Sequence, residues 1–512
     1  MQTENNRPAR YQREDGNNKV VVSATEYTAA SLTADQAAAF ELLAPICRGE
    51  GAGARAVLTG YAGTGKTFLT ARLIALALEC IPDALGERHE KGKWSPPPSV
   101  VVAAPTHRAS RHLASVLAEY GIEGVEVVTI HSALRLRPVR SGGTERFVPD
   151  RKGAQLIGDD TRLLIIDEIS MVSAELTGLI EEALISGGGS ILAVGDPAQL
   201  QPVSGEPSPL LRAPIRAHLS HVVRHQGPIL ELATNTRELG SGRPAFASSA
   251  GTSSEVIAHP TQSEWCRAAV DACLAANAAG DTDAARILCW TNAAVAAANA
   301  AIHRRIYGPE AAPFLAGQPI VSSGAITGPA GLPIAGASTE MLVTEAELID
   351  CAAPGDDSPE LLEVVQPMGG GIPEWSSWGI RAEVIAGGGW VEFAVLDPGC
   401  TARWREAQEA IASSARIQAK EGRRAEAAAL WRWFWARRDR FAEVTSIWAS
   451  TIHNSQGSTI ERVFLHPDID QNRDQVERAQ LAYVGITRAS GELHVVADQI
   501  TTSASRFSRG MA

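Results

Sequence analysis

The chain has 512 residues, of which 45% are hydrophobic and 20% are charged. These values are ordinary for a soluble globular protein, and the length is enough for about three to four domains. The 46 lysines and arginines against 58 aspartates and glutamates give a net charge of −12. This balance excludes a uniformly basic nucleic-acid coat protein, but it allows a nucleic-acid enzyme with a local basic channel.

The amino terminus and the cysteines argue against an exported or membrane protein. No stretch approaches the roughly 18 apolar residues of a membrane helix, and residues 1–30 are polar, without the apolar core of a secretory signal. We expect residues 1–30 to form a disordered tail. The seven cysteines are odd in number and no pair has CxxC spacing. Neither a zinc site nor a disulfide framework is therefore predicted, and a reducing, intracellular compartment is favoured.

Alternating strand and helix patterns begin at Leu32. LTADQAAAFELL predicts an amphipathic helix with Thr33 as its N-cap. Short apolar runs that predict strands follow, and the first three are each succeeded by a helical run. The strand and helix pairs are AVLTG with KTFLTARLIALAL, SVVVAAPT with HRASRHLASVLAEY, and LLIIDE with a helix near 174–185; SILAVGD is a further strand. The pattern continues from near residue 220, where ARILCWTN at 285–292 is a further strand. This alternation predicts parallel sheets flanked by helices.

The pattern changes between residues 309 and 440. Residues 309–400 are rich in Gly and Pro and contain short β-like stretches such as MLVTEAEL and WVEFAVLD, which is typical of an inserted β module. Residues 401–440 are helical and end in WRWFWARRDR. The aromatic residues of that run could stack on bases, but their helical spacing favours a packed core face. These residues are Trp431, Trp433, Phe434 and Trp435.

A phosphate-binding loop is the strongest chemical signal. Residues 60–67 read GYAGTGKT and match the pattern GxxxxGK[ST], with a strand before the loop and a helix after it. Glycines let backbone amides surround phosphate oxygens, and the helix points its positive N-terminus at the anion. Lys66 would neutralise the β- and γ-phosphates, and the Thr67 hydroxyl would bind Mg²⁺. The residues expected to bind the nucleotide through this loop are Gly60, Gly63, Thr64, Gly65, Lys66 and Thr67.

A second signal lies at the end of a buried strand. Residues 163–168 read LLIIDE, an apolar run that ends in two acids. Asp167 would hold Mg²⁺ together with Thr67, and Glu168 would orient and deprotonate the attacking water. Such a run alone is a weak signal, but together with the phosphate loop it predicts a nucleoside triphosphate hydrolase.

These motifs and others occur in an order and at a spacing that resemble superfamily 1 helicases of the 5′-to-3′, RecD-like branch. The resemblance runs from about Leu32 to Val496, and within that branch the chain is most similar to a phage helicase. The matching segments are Leu32–Gln36 (Q motif), Gly60–Thr67 (motif I), Ala104–His107 (Ia), Thr129–Ser132 (Ib), Asp167–Ser170 (II), Gly195–Leu200 (III), Leu219–Arg224 (IV), Ser450–Gly457 (V) and Tyr483–Arg488 (VI).

The resemblance implies a role for each matching residue. Gln36 would read the adenine edge, Gln199 would lie near the γ-phosphate, and Arg224 would contact the triphosphate. Arg488 would be an arginine finger supplied by the second domain. His221-Val222-Val223-Arg224 is looser than the common aromatic-Arg pattern of motif IV. The expected cofactors are ATP and Mg²⁺, and the expected catalytic residues are Lys66, Asp167, Glu168, Gln199, Arg224 and Arg488.

The resemblance also implies a path for single-stranded DNA. Short polar side chains at strand ends can bind phosphates without reading sequence, although a histidine or threonine at such a position can equally be a cap or core residue.

Residues 134–150 alternate around Ser141-Gly142-Gly143, which predicts a β-hairpin. In the family a hairpin here separates the strands, and Phe147 is the apolar residue best placed to stack at the fork. The alternative is a surface hairpin whose Phe147 packs on its own base. Arginines that would help to hold phosphates in this hairpin are Arg135, Arg137, Arg140 and Arg146. The expected DNA-binding residues are Thr106, His107, Thr129, His131, Phe147 and His453.

The fold class expected from the resemblance is α/β, with two RecA-like P-loop domains. The expected divisions are the tail 1–30, domain 1A at 31–218 with the pin hairpin 1B at about 134–150, the first part of domain 2A at 219–308, an SH3-like β module with a helical extension (2B) at 309–440, and the remainder of 2A at 441–512.

The function implied is that of a monomeric ATP-dependent DNA helicase that translocates 5′ to 3′ on single-stranded DNA and unwinds duplex. Its polarity comes from the family alone. The expected partners are single-stranded and forked DNA, with single-strand-binding or replisome proteins as further candidates and no membrane. The expected setting is DNA replication, recombination or repair in the cytoplasm of a bacterium or of a phage-infected host.

Two alternatives remain open at this point. The chain could be the helicase portion of a conjugative relaxase or a RecD-type subunit of a nuclease complex, although no relaxase-type histidine cluster or nuclease carboxylate cluster appears outside the helicase motifs. It could also be a DNA-binding scaffold with a vestigial ATPase site. The intact Lys66, Asp167, Glu168 and Arg488 count against that second alternative.

Overall fold

A computed structural model describes most of the chain. The described residues are 32–86, 97–150, 155–202, 206–222, 227–328, 333–351, 364, 375–385 and 389–497. The predicted tail 1–30 and Arg224 lie outside them. Within the described part of the chain, no helix is both long and apolar enough to cross a membrane.

The first half is built on a six-stranded parallel sheet, as the alternating pattern predicted. Its strands are β1 (Arg55–Gly60), β2 (Val100–Ala104), β3 (Val127–Thr129), β6 (Leu163–Ile166), β7 (Ser190–Gly195) and β8 (Ile215–Leu219). Their order is β3-β2-β6-β7-β1-β8. The central strands are buried on both faces, which explains their continuous apolar runs. The helices of this half are α1 (Ala34–Cys47), α2 (Lys66–Cys80), α3 (His107–Glu119), α4 (Ile130–Ala133) and α5 (Ala174–Leu184).

A second six-stranded sheet forms the other α/β unit, which completes the parallel core that was expected. Its strands are β9 (Ser249–Ala250), β10 (Glu255–His259), β11 (Ala285–Cys289), β19 (Ala449–Thr451), β20 (Ile460–Leu465) and β21 (Ala489–Val496). Their order is β19-β11-β20-β21-β10-β9, and all pairs are parallel except β9 with β10. Its helices are α6 (Pro228–Leu239), α7 (Gln262–Ala279), α8 (Asn292–Tyr307) and α11 (Gln475–Ile486).

An antiparallel module interrupts the second unit between β11 and β19, where the Gly- and Pro-rich sequence lies. Its five strands are β12 (Pro319–Ser322), β15 (Glu340–Cys351), β16 (Trp375–Val384), β17 (Trp390–Leu396) and β18 (Val444–Ser446), with a small ribbon of β13 (Ile326–Thr327) and β14 (Pro333–Ala335). Two helices follow the strands, α9 (Thr401–Lys420) and α10 (Arg424–Arg438). An SH3-like relationship of this sheet stays a prediction.

Short 3-10 helices connect several of these elements. They lie at Ile169–Met171, Pro209–Arg212, Pro398–Cys400, His453–Ser455 and Pro467–Gln471. The first follows β6, and the fourth follows β19.

The aromatic residues of α10 pack into a core, which is the interpretation that their spacing favoured. Trp435 is 7% exposed, and Trp431, Trp433 and Phe434 line an apolar cluster around the fully buried Trp375. The ring centroids of Trp375 and Trp404 lie 4.7 Å apart at right angles. The aromatic run therefore joins α9 and α10 to the antiparallel sheet.

A two-stranded hairpin lies at the predicted position and contacts α10 through its tip. The strands are β4 (Leu136–Ser141) and β5 (Thr144–Pro149). Trp435 Nε1 donates a hydrogen bond of 3.0 Å to the Gly142 carbonyl. A Cβ atom on Gly143 would lie 2.7 Å from the Trp431 ring, so the close contact depends on glycine at that position. The tip is thus fixed to the inserted module.

Charged side chains reinforce this contact. Arg140 donates to both carboxylate oxygens of Asp439, at 2.6 and 3.0 Å, and to Glu145 at 2.8 Å. Its guanidinium also lies 4.7 Å from the Trp435 ring centroid. The expectation that Arg140 would hold DNA phosphates is not supported, because these ion pairs already occupy its charge.

A buried charge cluster joins the first sheet's helices to the second unit and the module. Glu340 on β15 accepts from Arg286 on β11 at 3.3 Å and pairs with Arg108 on α3 at 3.3 Å. Arg286 is 1% exposed. Burial and the neighbouring Arg286 lower the pKa of Arg108 to about 10. Asp283 also lies 3.7 Å from the Arg286 guanidinium, and the Glu340 carboxylate contacts both arginines.

Removing that carboxylate should destabilise the protein. Loss of one partner of a buried ion pair leaves uncompensated charge and costs about 3 kcal/mol or more. We expect Glu340→Gln to lower the free energy of unfolding by about this amount in chemical denaturation. Glu345→Gln on the same strand is the control, because its pair with Arg381 is exposed and such pairs contribute about 0–1 kcal/mol. Equal stability of the two variants would contradict the assignment.

Candidate nucleotide and DNA site

The loop between β1 and α2 has the backbone that phosphate binding requires. Gly63 and Gly65 have φ values of 79° and 80°, which lie in the left-handed region that favours glycine. A Cβ on Gly65 would lie 2.5 Å from Gln36 Nε2, and one on Gly60 would lie 2.7 Å from Thr64 Oγ1. The glycines are therefore needed for both conformation and close packing.

Lysine 66 begins α2 and its side chain folds back over the loop. Lys66 Nζ donates to the carbonyls of Gly60 at 2.8 Å and Tyr61 at 2.9 Å. Thr67 follows in the first turn and is half-buried. The loop, the ammonium group and the helix N-terminus thus present positive potential at one point, which suits the phosphates of a nucleotide.

Two carboxyl groups lie at the end of β6. Asp167 is 9% exposed, and its Oδ1 accepts from the Glu168 backbone N–H at 2.9 Å. Glu168 has a φ of 51°, which is unusual for a non-glycine residue. Its Oε2 is buried and has no hydrogen-bond partner among the described residues.

Burial dominates the electrostatics of this pair. It raises the pKa of Asp167, and it raises the pKa of Glu168 to about 7, with the Asp167 charge as the next cause. Lys66 and Arg488 act in the opposite direction on Glu168. The two carboxyls, the loop lysine and Arg488 therefore form one charge cluster.

Arginine 488 reaches this cluster from the second sheet, just after α11. It is 7% exposed and is held by the carbonyls of Val484 and Ser458, each at 3.2 Å. Burial lowers its pKa, and the Glu168 charge opposes that effect. The structure thus brings Arg488 to the first sheet's carboxyls.

A tyrosine connects the two α/β units by hydrogen bonds. Tyr483 Oη donates to Asp196 Oδ2 at 2.7 Å and accepts from the Ala62 backbone N–H at 2.9 Å. Tyr483 is 2% exposed and Asp196 is fully buried. A second contact is nearby, because the Arg237 guanidinium lies 3.5 Å from the centroid of the Tyr61 ring.

Of the two glutamines expected at the nucleotide, Gln199 lies at this interface and Gln36 lies at the phosphate loop. Gln199 is 5% exposed and accepts from Gln456 Nε2 at 3.5 Å across the two units. Gln36 accepts from the Thr33 N–H at 3.1 Å and donates to the Thr64 carbonyl at 3.0 Å. Gln36 therefore ties the start of α1 to the phosphate loop, and recognition of adenine by it stays a prediction.

The threonines expected to bind DNA act as helix caps. Thr106 Oγ1 accepts from the Ala109 N–H at 3.2 Å at the start of α3, and Thr129 Oγ1 accepts from the Ser132 N–H at 3.1 Å at the start of α4. Both contacts stabilise helix N-termini. A contact of either residue with DNA stays a prediction.

The three expected histidines share one electrostatic effect of their surroundings. Burial is the main cause that lowers the pKa of His107, His131 and His453. His107 packs under the module, since a Cβ on Gly336 would lie 2.3 Å from its ring. Burial therefore disfavours the charged form of all three imidazoles.

Phenylalanine 147 is the expected wedge residue and is 46% exposed. Its ring centroid lies 5.3 Å from that of His131, with the rings nearly perpendicular. Across the hairpin it faces Pro138. The side chain is thus partly packed and partly available for stacking.

Comparisons with known proteins agree with this architecture. The AAA domain family matches residues 31–258, and the UvrD-like helicase C-terminal domain family matches residues 446–496. The ATP-dependent DNA helicase dda of Enterobacteria phage T4 is 24% identical over 476 residues, which cover 86% of this chain and 93% of that protein. The RecBCD enzyme subunit RecD of Mycobacterium tuberculosis is 32% identical over 157 residues, which cover 29% of this chain and 24% of that protein. The chain is a superfamily 1 helicase of the RecD and Dda type. The predicted likeness to a phage helicase is thereby confirmed.

Among solved structures, the helicase is similar to Pif1 from Bacteroides in complex with ADP-AlF3 and ssDNA, with 16% identity, a TM-score of 0.42, and coverage of 92% and 94% of the two chains.

Most expected nucleotide-site residues of the helicase lie together, and motif-based reasoning missed several others. Arg224 lies outside the described residues, so its role is still a prediction. Tyr483 was within a matching motif but had no assigned role. Asp196 and Gln456 also lie in matching motifs for which only other residues had an expected role, and Arg237 lies in no motif. Their positions depend on contacts between distant segments, which a single sequence does not reveal.

Replacing Glu168 tests the proposed base. Glu168→Gln keeps the shape of the side chain but removes the proton acceptor, so we expect ATP hydrolysis to fall by about 10²-fold or more while ATP binding stays near the parent value. Steady-state hydrolysis and equilibrium binding of a fluorescent ATP analogue measure the two quantities. Lys66→Ala is the comparison, because it should weaken both. Parent-like hydrolysis by Glu168→Gln would show that another group accepts the proton.

Proposed function

We propose that this helicase uses ATP hydrolysis to move 5′ to 3′ along single-stranded DNA and to separate duplex DNA. The observation that carries the proposal is the charge cluster of Lys66, Asp167, Glu168 and Arg488. Its first three members come from one parallel sheet, and Arg488 comes from the other. A site divided in this way is complete only when the two units are together, so hydrolysis can be coupled to their relative movement.

The residues of the cluster suggest how ATP would be hydrolysed. The loop amides and Lys66 would hold the phosphates, and Glu168 would accept a proton from the attacking water. Arg488 would neutralise charge that develops on the transferred phosphoryl group. Gln199 would orient the water or the γ-phosphate, because its turn lies at the same interface.

The same residues fit a magnesium ion. The buried Glu168 Oε2 lacks a partner among the described residues, and the charge of the loop residue Lys66 acts on both the Asp167 and the Glu168 carboxyl. Hard oxygen ligands of this kind suit Mg²⁺. Asp167 and Thr67 would hold the ion, which would supply charge neutralisation to the phosphates.

The path of single-stranded DNA would cross both α/β units at the ends of strands β2, β3 and β19. Motif segments around Thr106, Thr129 and His453 lie on the two sheets' loops, and neutral hydrogen-bonding groups there would contact phosphates without sequence preference. Opening and closing of the interface would then change the spacing of these contacts. This supports translocation, and the direction of movement is carried over from the related helicases.

The proposed domains would have separate roles. We assign residues 31–218 to domain 1A with the hairpin at about 134–150 as 1B, residues 219–308 and 441–512 to domain 2A, and residues 309–440 to module 2B. In this assignment the hairpin is the strand-separating pin. The contact of its tip with α10 would support it during unwinding.

The proposed activity and polarity can be tested directly. We expect single-stranded DNA to stimulate ATP hydrolysis by at least about 10-fold, since closure of the two units completes the site. We expect unwinding of a forked duplex that carries a 5′ single-stranded tail and little unwinding of one with only a 3′ tail. Lys66→Ala serves as the inactive control. An ATPase rate that is the same with and without single-stranded DNA would reject the helicase proposal. Faster unwinding of the duplex with the 3′ tail would reject the polarity.

The wedge role of Phe147 gives a separate test. Stacking of an aromatic ring on a base is worth about 1–3 kcal/mol, so Phe147→Ala should slow unwinding of forked duplex while DNA-stimulated ATPase stays near the parent value. Val139→Ala is the control, because Val139 is an exposed residue paired with Arg146 in the same hairpin. Unchanged unwinding, or a loss of thermal stability that accounts for slower unwinding, would instead assign Phe147 to hairpin packing.

A further inference from the structure

The hydroxyl group of Tyr483 joins three parts of the nucleotide site. It lies on α11 of the second unit, donates to Asp196 Oδ2 at 2.7 Å, and accepts from the Ala62 N–H at 2.9 Å. Ala62 is part of the phosphate loop, and Asp196 directly follows β7. A single oxygen atom therefore connects motif VI with motif I and motif III.

Asp196 in turn shapes the segment that carries Gln199. Its Oδ1 accepts from the Ala198 N–H at 2.9 Å, and its carbonyl accepts from the Gln199 N–H at 3.1 Å. One carboxylate oxygen thus forms the turn while the other binds Tyr483. A shift of Tyr483 would be transmitted to the backbone of Gln199 through a single residue.

Only a phenol satisfies both contacts at this position. A hydroxyl group can donate to a carboxylate and accept from an amide at once, whereas a phenylalanine ring can do neither. The fully buried Asp196 would lose a charged hydrogen bond with nothing to replace it. Burial and the Asp196 charge raise the pKa of Tyr483 far above its usual range, which favours the protonated phenol that donates to Asp196.

We propose that Tyr483 is a positioning residue for ATP hydrolysis, which holds the phosphate loop and the Gln199 turn in register with Arg488 when the two units meet. Arg488 lies five residues further along the same segment, and its side chain is held by the carbonyl of Val484, the neighbour of Tyr483. The hydroxyl therefore fixes the segment that delivers Arg488 to the first sheet. Tyr483 itself is not expected to contact the nucleotide.

The inference rests on the proposed ATP-dependent function and is tested with Tyr483→Phe in the full chain. This change keeps the ring and its packing and removes both hydrogen bonds. We expect kcat for DNA-stimulated hydrolysis to fall by about 10-fold or more, while KM for ATP and the affinity for a fluorescent ATP analogue stay within about 2-fold. Tyr307→Phe is the matched control, because the Tyr307 ring lies on α8 and packs with His303.

Several results would overturn the inference. A Tyr483→Phe protein with the kcat of Tyr307→Phe would show that the hydroxyl does not position the site. A parallel loss of kcat, ATP affinity and thermal stability would assign it to packing alone. A parent protein without DNA-stimulated hydrolysis would instead reject the proposed function, so the two failures can be distinguished.

A double-mutant cycle identifies the partner through which Tyr483 acts. Asp196→Asn keeps an oxygen for the Ala198 N–H but removes the charge that accepts from the phenol. If Tyr483 acts through Asp196, the second substitution should reduce kcat much less in the Tyr483→Phe background than in the parent. Fully multiplicative losses in kcat would contradict the proposed connection.

Discussion

Burial of opposite charges between two parallel sheets is the constraint on which the rest of this structure depends. Asp167 and Glu168 end a strand whose neighbours exclude water, and that burial raises the pKa of both carboxyls. Buried ionised groups persist only when they are paired and hydrogen-bonded. Lys66 supplies one positive charge from the same unit, and Arg488 supplies the other from the second unit. Arg488 of the second unit therefore contributes to the electrostatic balance of Glu168 in the first unit.

Single polar contacts accompany the apolar packing of Leu200 at the interface between the units. Tyr483 with Asp196, Gln456 with Gln199, and Arg237 over Tyr61 are directional contacts of single groups. Hydrogen bonds of this kind can be exchanged for contacts with a nucleotide or with water at modest net cost. The interface is thus suited to repeated opening.

Short contiguous patterns made much of this architecture predictable from the sequence. The apolar strands, the phosphate loop and the two acids after LLII depend on neighbours within a few residues, and the parallel core confirms them. The contacts of Tyr483 could not be predicted in the same way, because its partners are 287 and 421 residues distant in the chain. The ion pair of Arg140 with Asp439 joins residues that are 299 positions apart in the chain. The sequence alone therefore suggested that Arg140 holds DNA phosphates, whereas in the fold it anchors the hairpin. Thr106 and Thr129 show a related limit, since a hydroxyl at a strand end suits a helix cap as well as a DNA phosphate.

The hairpin illustrates how distant parts of the chain support a local element. An isolated two-stranded hairpin is only marginally stable in water. Here the tip is held by Trp435 and by the two-pronged contact of Arg140 with Asp439, and nearer the base Phe147 packs against His131 of motif Ib. Because α10 is itself joined to β16 through the cluster around Trp375, a force on the hairpin is transmitted to the inserted module as well as to the first unit. The exposed part of Phe147 therefore lies on a strand supported at both ends, and the proposed wedge role would need this support for the ring to resist displacement by a base pair.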